Sequence, residues 1–397
     1  MHKENKVLFY SGVAVVVLIA MNLRSPITAV SPVLDEIKSA LGLNNTQASL
    51  LTSIPLLMFA GFSILVSKAT SRVDIRKGLI YSLIILAVGL YIRVYGSISS
   101  LYIGSFLLGL GICIGNVLTP AYIKKIFPQQ VGIMTGIFSV SMNLVAALAT
   151  GFSIAIGQWT NAGWRGSLGI WILGAILAFL MLLIDVRLGN QQTNGVQSSK
   201  LERVSFNIFL SRQAWYISVF MGIQSLIYYC LVAFLPTLLI DYGMSKYDAG
   251  WVFSILQLAM LPVMLFSPVI ASKMKDPKAL IFSSGGLYFI GIGMLLLFKA
   301  QYVYLTAVLL GIAGGLAFSL AILFFSLRSK TMQGTILISG KAQSIGYLLA
   351  AFGPPIFSKL HDWDFSWTYS LYFILACILL MTYFGRKAAK PRFIEDH

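Results

Sequence analysis

Long apolar runs separated by short polar stretches repeat along the whole chain. Each run has about the 20 residues that an α-helix needs to cross a bilayer. The pattern therefore predicts twelve transmembrane helices. The first run is expected to be a retained transmembrane helix and not a signal peptide, because it continues past Pro32. The predicted helices are 8–33, 47–67, 77–96, 100–123, 131–156, 165–186, 213–240, 248–272, 279–298, 301–327, 333–358 and 366–385.

A polar segment at 188–212 divides these helices six and six. We predict an all-α membrane protein with an N-terminal bundle at 1–187, a cytoplasmic linker at 188–212 and a C-terminal bundle at 213–397. An internal repeat supports this division, because an offset of 204 residues separates Gly136 from Gly340 and Pro32 from Pro236. Six helices lie between equivalent positions, so both halves have the same orientation, as in transporters built from parallel repeats.

Composition and charge place the chain in the membrane. Hydrophobic residues make up 58% of the chain and charged residues only 11%, which excludes a soluble globular enzyme and a disordered protein. Most of the 29 Lys and Arg lie in segments on one side of the predicted helices, with Arg93 among the few cations assigned to the other side. Lys and Arg favour the cytoplasmic side of a membrane. The protein is therefore predicted in the cell membrane with both termini in the cytoplasm. The same bias explains the net charge of +16 without a nucleic-acid partner.

The acidic residues exclude several kinds of chemistry. All 13 Asp and Glu, Asp185 included, are expected in loops, tails or helix ends, so no buried carboxylate is available for a proton relay. The three cysteines lie in apolar runs, and no Cys, His and carboxylate cluster has the spacing of a metal site. No nucleophile has a base beside it. The sequence therefore predicts no enzyme activity, no cofactor and no metal.

Two cations, Arg24 and Lys341, are assigned to neither side of the membrane but to the interior of predicted helices. Arg24 lies about 24 Å into the first helix at 1.5 Å per residue, too deep to reach cytoplasmic water. We predict that it binds a substrate anion; the alternatives are an ion pair with an acid such as Asp35, or an Arg that caps backbone carbonyls. Lys341 lies closer to the cytoplasmic side, so it could either line the cavity or extend its ammonium into cytoplasmic water.

Neutral polar residues recur around these cations at helical spacing. Pro26 frees the carbonyl of Asn22, so the first helix is expected to bend there, and Pro120 similarly frees the carbonyl of Asn116. Each polar side chain could instead form a hydrogen bond between helices. The remaining candidates for the substrate site are Asn143, Gln224, Tyr228, Tyr229, Gln257, Phe318, Gln343 and Tyr347. Under the 204-residue offset, Tyr228 stands at the repeat position of Arg24.

Several segments of the chain carry a recognisable family signature. They are Gly115–Ala121, Lys124–Pro128, Gly132–Gly136, Asn22–Arg24, Gln224–Leu226 with Tyr228 and Tyr229, Leu327–Ser329, and Ala342–Ser344 with Gly346 and Tyr347. Together they resemble the cyanate and 2-nitroimidazole transporter family of the major facilitator superfamily. The resemblance covers nearly the whole chain, with two departures: Asp74 stands where the superfamily usually has Gly, and Lys341 where an apolar residue such as Met is expected.

The resemblance implies a monomeric secondary transporter that works by alternating access, in which two six-helix bundles rock about a central site. Its substrates would be small anions or small neutral aromatic compounds. Arg24, Lys341 and the lack of a buried acid favour an anion, with proton coupling or a titrating Lys341 as a further hypothesis. The alternative is an exporter of neutral aromatic compounds, whose cavity Phe318, Met142 and Met221 would line. A transporter-like sensor is a third class, but the chain offers no extra soluble segment outside 188–212.

Overall fold

The structure is a computed structural model and describes residues 3–70, 73–192 and 207–396. In this part of the chain, helices account for nearly all regular structure, and 12 helical segments are long and apolar enough to cross a membrane. The helices are α1 (Lys3–Asn22), α2 (Ser25–Thr28), α3 (Leu34–Leu41), α4 (Asn45–Thr70), α5 (Ile75–Arg93), α6 (Ile98–Ile126), α7 (Val131–Trp159), α8 (Trp164–Gly169), α9 (Trp171–Gln192), α10 (Arg212–Asp241), α11 (Lys246–Lys273), α12 (Lys278–Phe298), α13 (Val303–Leu327), α14 (Met332–Asp364) and α15 (Thr368–Ala388).

Large apolar side chains on these helices face outward. Leu297 is 78% exposed, and Leu173 and Leu379 are each 62% exposed. Apolar side chains exposed in this way along every span are suited to hydrocarbon, not to water. The chain is therefore a multi-pass membrane protein, as the apolar runs predicted.

The chain forms two compact units. The first unit consists of Met1–Gln130, Ile137–Val204 and Thr331–Gly340, and the second of Val131–Gly136, Ser205–Lys330 and Lys341–His397. The start of α7 thus belongs to the second unit and the start of α14 to the first. The predicted linker lies largely outside the described residues.

Glycines allow close helix packing inside each unit. A Cβ on Gly104 of α6 would come within 2.5 Å of the Arg93 backbone nitrogen on α5. In the second unit, a Cβ on Gly311 of α13 would collide with the carbonyl oxygen of Leu256 on α11. Small residues at such crossings let backbones approach each other, which is a main source of helix association in membranes.

The first transmembrane segment differs from the continuous helix expected over 8–33. Helix α1 ends at Asn22, and a second short helix, α2, begins at Ser25. Pro26 lies in the first turn of α2. Because proline has no N–H group and its ring clashes with the preceding turn, the expected bend at this position takes the form of a break.

The expectation that every carboxylate is peripheral is wrong for Asp185. This residue lies on α9 and is 0% exposed. One carboxylate oxygen accepts a hydrogen bond from Ser11 at 3.0 Å, and the other accepts from Arg76 at 2.9 Å and Tyr122 at 3.0 Å. The partners come from α1, α5 and α6, far away in the sequence, so the sequence alone did not reveal them. A buried pair that is hydrogen-bonded in this way ties four helices together, and breaking it would leave an unpaired buried charge.

Candidate anion-binding site

Arg24 lies at the break in the first transmembrane segment. Its backbone carbonyl accepts hydrogen bonds from the N–H groups of Ile27 and Thr28 at 3.0 and 3.1 Å, so it starts the short helix α2. The Ser25 hydroxyl donates to the Met21 carbonyl across the break. Irregular backbone at membrane depth is tolerated only where protein or a water-filled cavity surrounds it. The break is therefore a place where a polar site can exist inside the membrane.

The Arg24 side chain is half-buried and directed toward α7. Its Nη1 donates a hydrogen bond to Oδ1 of Asn143 at 2.5 Å. The Asn143 amide nitrogen donates to the Ser139 carbonyl at 2.9 Å, which leaves Oδ1 facing the guanidinium. Asp35, the acid considered as an ion-pair partner, lies 3.5 Å from Lys38 instead. Arg24 and Asn143, two of the predicted site residues, are thus in direct contact.

Two further predicted residues of the first unit lie on helices next to this break. Asn22 is buried and donates to the Leu18 carbonyl at 2.7 Å, while its Oδ1 has no hydrogen-bond partner among the described residues. Asn116 is half-buried on α6, and Pro120 removes the N–H that would bond to its carbonyl. Ser339, from the 331–340 segment of the same unit, donates to that carbonyl at 3.4 Å.

The second unit brings three predicted residues together. The hydroxyl of Tyr228 lies 3.2 Å from Nε2 of Gln257, so α10 and α11 meet through a polar pair. The ring of Tyr229 packs edge-on against Tyr228, with 5.7 Å between the ring centroids. All three side chains are half-buried. Tyr228, at the repeat position of Arg24, therefore also contacts a carboxamide on a neighbouring helix of its own unit.

The other predicted residues of the second unit differ in how deeply they are buried. Gln224 is only 2% exposed and donates to Ser225 at 2.7 Å and to the Met221 carbonyl at 3.1 Å, both on its own helix. Gln343 is buried, whereas Phe318 and Tyr347 are half-buried. The spacing that placed Gln224 on a polar face does not distinguish a cavity wall from a side chain satisfied by its own helix.

Lys341 is 0% exposed, so its ammonium does not reach water. The ammonium donates to the Ile208 carbonyl at 3.0 Å and lies 4.1 Å from the centre of a Trp215 ring and 5.2 Å from that of Phe209. These partners belong to the turn before α10 and to its first residues. Cation–π contact and a carbonyl acceptor hold the charge there, an arrangement that neither sequence hypothesis included.

Sequence reasoning missed one buried cation near the site. Arg93 was assigned to a segment on the outer side, but it lies in the last turn of α5 and is 1% exposed. Its Nη1 donates to the carbonyl of Pro26 at 2.8 Å, at the same break as Arg24. A signal was present in the sequence, because Arg93 falls inside the predicted helix 77–96 and not beyond its end.

Twelve spans, a break at an intramembrane arginine and an internal repeat are features of secondary transporters, and comparison with known proteins gives the family. Residues 13–354 match the model of the Major Facilitator Superfamily, to which the chain therefore belongs. Members of this family are membrane transporters of small molecules and not enzymes. A structure of the proton:xylose symporter XylE aligns with 99% of this chain and 98% of its own length, at a TM-score of 0.79 and 14% identity.

Two curated relatives are more similar in sequence. The 2-nitroimidazole transporter of Escherichia coli (strain K12) is 33% identical over 392 residues, which cover 99% of this chain and 98% of the relative. The cyanate transport protein CynX of the same organism is 28% identical over 349 residues, covering 86% and 87%. The resemblance that the sequence motifs indicated is therefore confirmed.

Proposed function

We propose that this protein is a secondary active transporter of a small anion, with Arg24 as the residue that binds the anionic group. The observation that carries the proposal is the half-buried guanidinium of Arg24 at the break of the first transmembrane segment. Ionisable residues within membrane spans are costly and mark substrate or ion pathways. Broken helices with polar groups at membrane depth form the substrate sites of many transporters.

The neighbours of Arg24 fit this role. Asn143 orients the guanidinium through a neutral amide, so the positive charge is retained. The planar guanidinium can donate two parallel hydrogen bonds to an oxyanion. A relative named for cyanate supports a small anion as the substrate class. The mechanism would be alternating access, in which the substrate site opens in turn to each side of the membrane.

Topology and assembly belong to the same proposal. We place both termini and the 188–212 linker in the cytoplasm and the protein in the cell membrane, with bundles at 1–187 and 213–397. The positive residues in the predicted cytoplasmic segments support this orientation. We propose a monomer that needs neither a cofactor nor a metal; among the described residues, no group of three His, Cys, Asp or Glu could hold a metal ion.

Substitution of Arg24 tests the proposal. Arg24→Ala should abolish binding of cyanate, nitrite and nitrate to purified protein, measured by thermal shift and calorimetry, while the protein still folds. Arg24→Lys should bind poorly too, because a lysine lacks the planar fork. Arg165→Ala is the matched control, since Arg165 is exposed in the same unit. Full anion affinity in Arg24→Ala would refute the proposal.

Export of small neutral aromatic compounds is the second candidate. The edge-on pair of Tyr228 and Tyr229 beside Gln257 could stack on a planar ring and bond to it. A relative named for 2-nitroimidazole also favours this function. Thermal shifts with 2-nitroimidazole and none with the anions, unchanged in Arg24→Ala, would select this alternative. Uptake into proteoliposomes with and without an imposed proton gradient would then test coupling for whichever ligand binds.

A further inference from the structure

The break in the first transmembrane segment contains a carbonyl group that its own helix does not satisfy. The N–H of Ala29 donates to the Ser25 carbonyl, and the N–H of Val30 donates to the Ile27 carbonyl at 3.4 Å. The Pro26 carbonyl is therefore passed over. A buried backbone group without a partner is costly, so this carbonyl needs a donor from another helix.

Arg93 on α5 supplies that donor, and close packing against α6 holds its backbone in place. Its Nη1 lies 2.8 Å from the Pro26 carbonyl oxygen in a buried hydrogen bond. The close approach of Gly104 on α6 confines the Arg93 backbone, because a Cβ on Gly104 would lie 2.5 Å from the Arg93 nitrogen. Arg24 is only two residues before Pro26. The position of the Arg93 side chain therefore affects the position of α2 and, through α2, the position of Arg24.

The charge of Arg93 is not balanced within the described part of the chain. Its Nε and Nη2 have no hydrogen-bond partner there. None of the ion pairs among residues 3–70, 73–192 and 207–396 includes it. In a surrounding of low dielectric constant, such a charge acts more strongly on its neighbours than it would in water. An anion bound near the break would offset part of the cost of burying it.

We propose that Arg93 is a positioning residue for anion binding: it holds the Pro26 carbonyl so that Arg24 keeps its binding orientation, and its charge favours an anion at the break. This inference rests on the proposed function, because it requires that Arg24 binds the substrate. Arg93 itself acts from behind the site, through the backbone of α2 and through its charge.

Binding of cyanate, nitrite and nitrate to full-length variants in detergent tests this role. Arg93→Met removes the charge and the donor and should weaken anion binding by about tenfold or more. Arg93→Lys keeps a charge and a donor on a long side chain and should stay within about threefold of wild type. Arg165→Met is the matched control, because it removes an exposed cation from the same unit; it should leave affinity unchanged.

The outcomes separate this inference from the proposed function. Wild-type protein that binds none of the anions, or full binding by Arg24→Ala, would refute the proposed function and this inference with it. Loss in Arg24→Ala with unchanged binding in Arg93→Met would overturn only the role of Arg93. A lowered melting temperature without a change in affinity, or equal losses in Arg93→Met and Arg93→Lys, would show a purely structural residue. If Arg93→Met does not fold, Arg93→Gln replaces it in the same comparison.

Discussion

Asn143 allows a sharp test of anion binding, because Asn143→Asp changes the charge beside Arg24 and hardly the size of the side chain. In the wild-type protein, Oδ1 of Asn143 accepts a hydrogen bond from Arg24 at 2.5 Å. An aspartate keeps this acceptor and adds a full negative charge to it. We expect this carboxylate to form an ion pair with the Arg24 guanidinium and so to compete with the substrate anion for it.

The expected loss follows from the geometry. Two unit charges about 4 Å apart interact with about 4 kcal/mol at an effective dielectric constant of about 20. Arg24 is half-buried, so screening by solvent reduces this interaction; we take about half of it, about 2 kcal/mol. At about 1.4 kcal/mol per factor of ten, anion affinity should fall by roughly 30-fold. Asn143→Ala removes the amide without adding a charge and should weaken binding far less.

Calorimetric titration of the tightest-binding anion provides the measurement, with counterflow in proteoliposomes as the transport assay. Gln158→Glu is the matched control, because it introduces the same charge at an exposed position of α7. It should leave the affinity unchanged. Equal anion affinities in wild type and Asn143→Asp would refute the idea that Arg24 binds the substrate.

The remaining predictions concern Lys341 and topology. Lys341→Met should leave anion affinity within about threefold, below roughly 0.7 kcal/mol, because the ammonium is held by Ile208 and Trp215; a changed anion selectivity, measured by the same titration, would place Lys341 in the substrate site. Introduced thiols at Ser39 and Lys275, both exposed, should react with impermeant reagents from opposite sides of the membrane, against a low background because the three native cysteines are buried. Labelling from the same side would contradict the proposed orientation.

Hydropathy predicted the spans well because it records which residues tolerate lipid. The predicted helices 279–298 and 301–327 differ by at most two residues from α12 and α13. The first span shows the limit of this signal. The helical span there covers Val7–Leu41, yet the helix breaks after Asn22. Whether an apolar run is one helix or several depends on backbone hydrogen bonds, which Pro26 disturbs and hydropathy does not record.

The candidate site was only partly accessible to sequence reasoning. Sequence reasoning identified Arg24 because a charge in the middle of an apolar run is costly and usually indicates a functional site. Its partner Asn143 was predicted as a polar residue of α7, but the contact joins residues far apart in the chain, which no local pattern specifies. Gln224 shows the opposite case, since its helical spacing suggested a cavity while its amide is bonded within α10.

The groups that surround a charged residue in a membrane protein indicate its role better than its distance from the end of an apolar run does. Asp185 and Arg93 both lie near the end of an apolar run, and both are buried. The carboxylate of Asp185 accepts hydrogen bonds from an arginine and two hydroxyl groups, so its charge serves to hold helices together. Arg93 has a single backbone carbonyl, and two of its nitrogens have no partner in the described chain. Because that carbonyl lies two residues from Arg24, the first unit concentrates positive charge at one break, where a bound anion would relieve it.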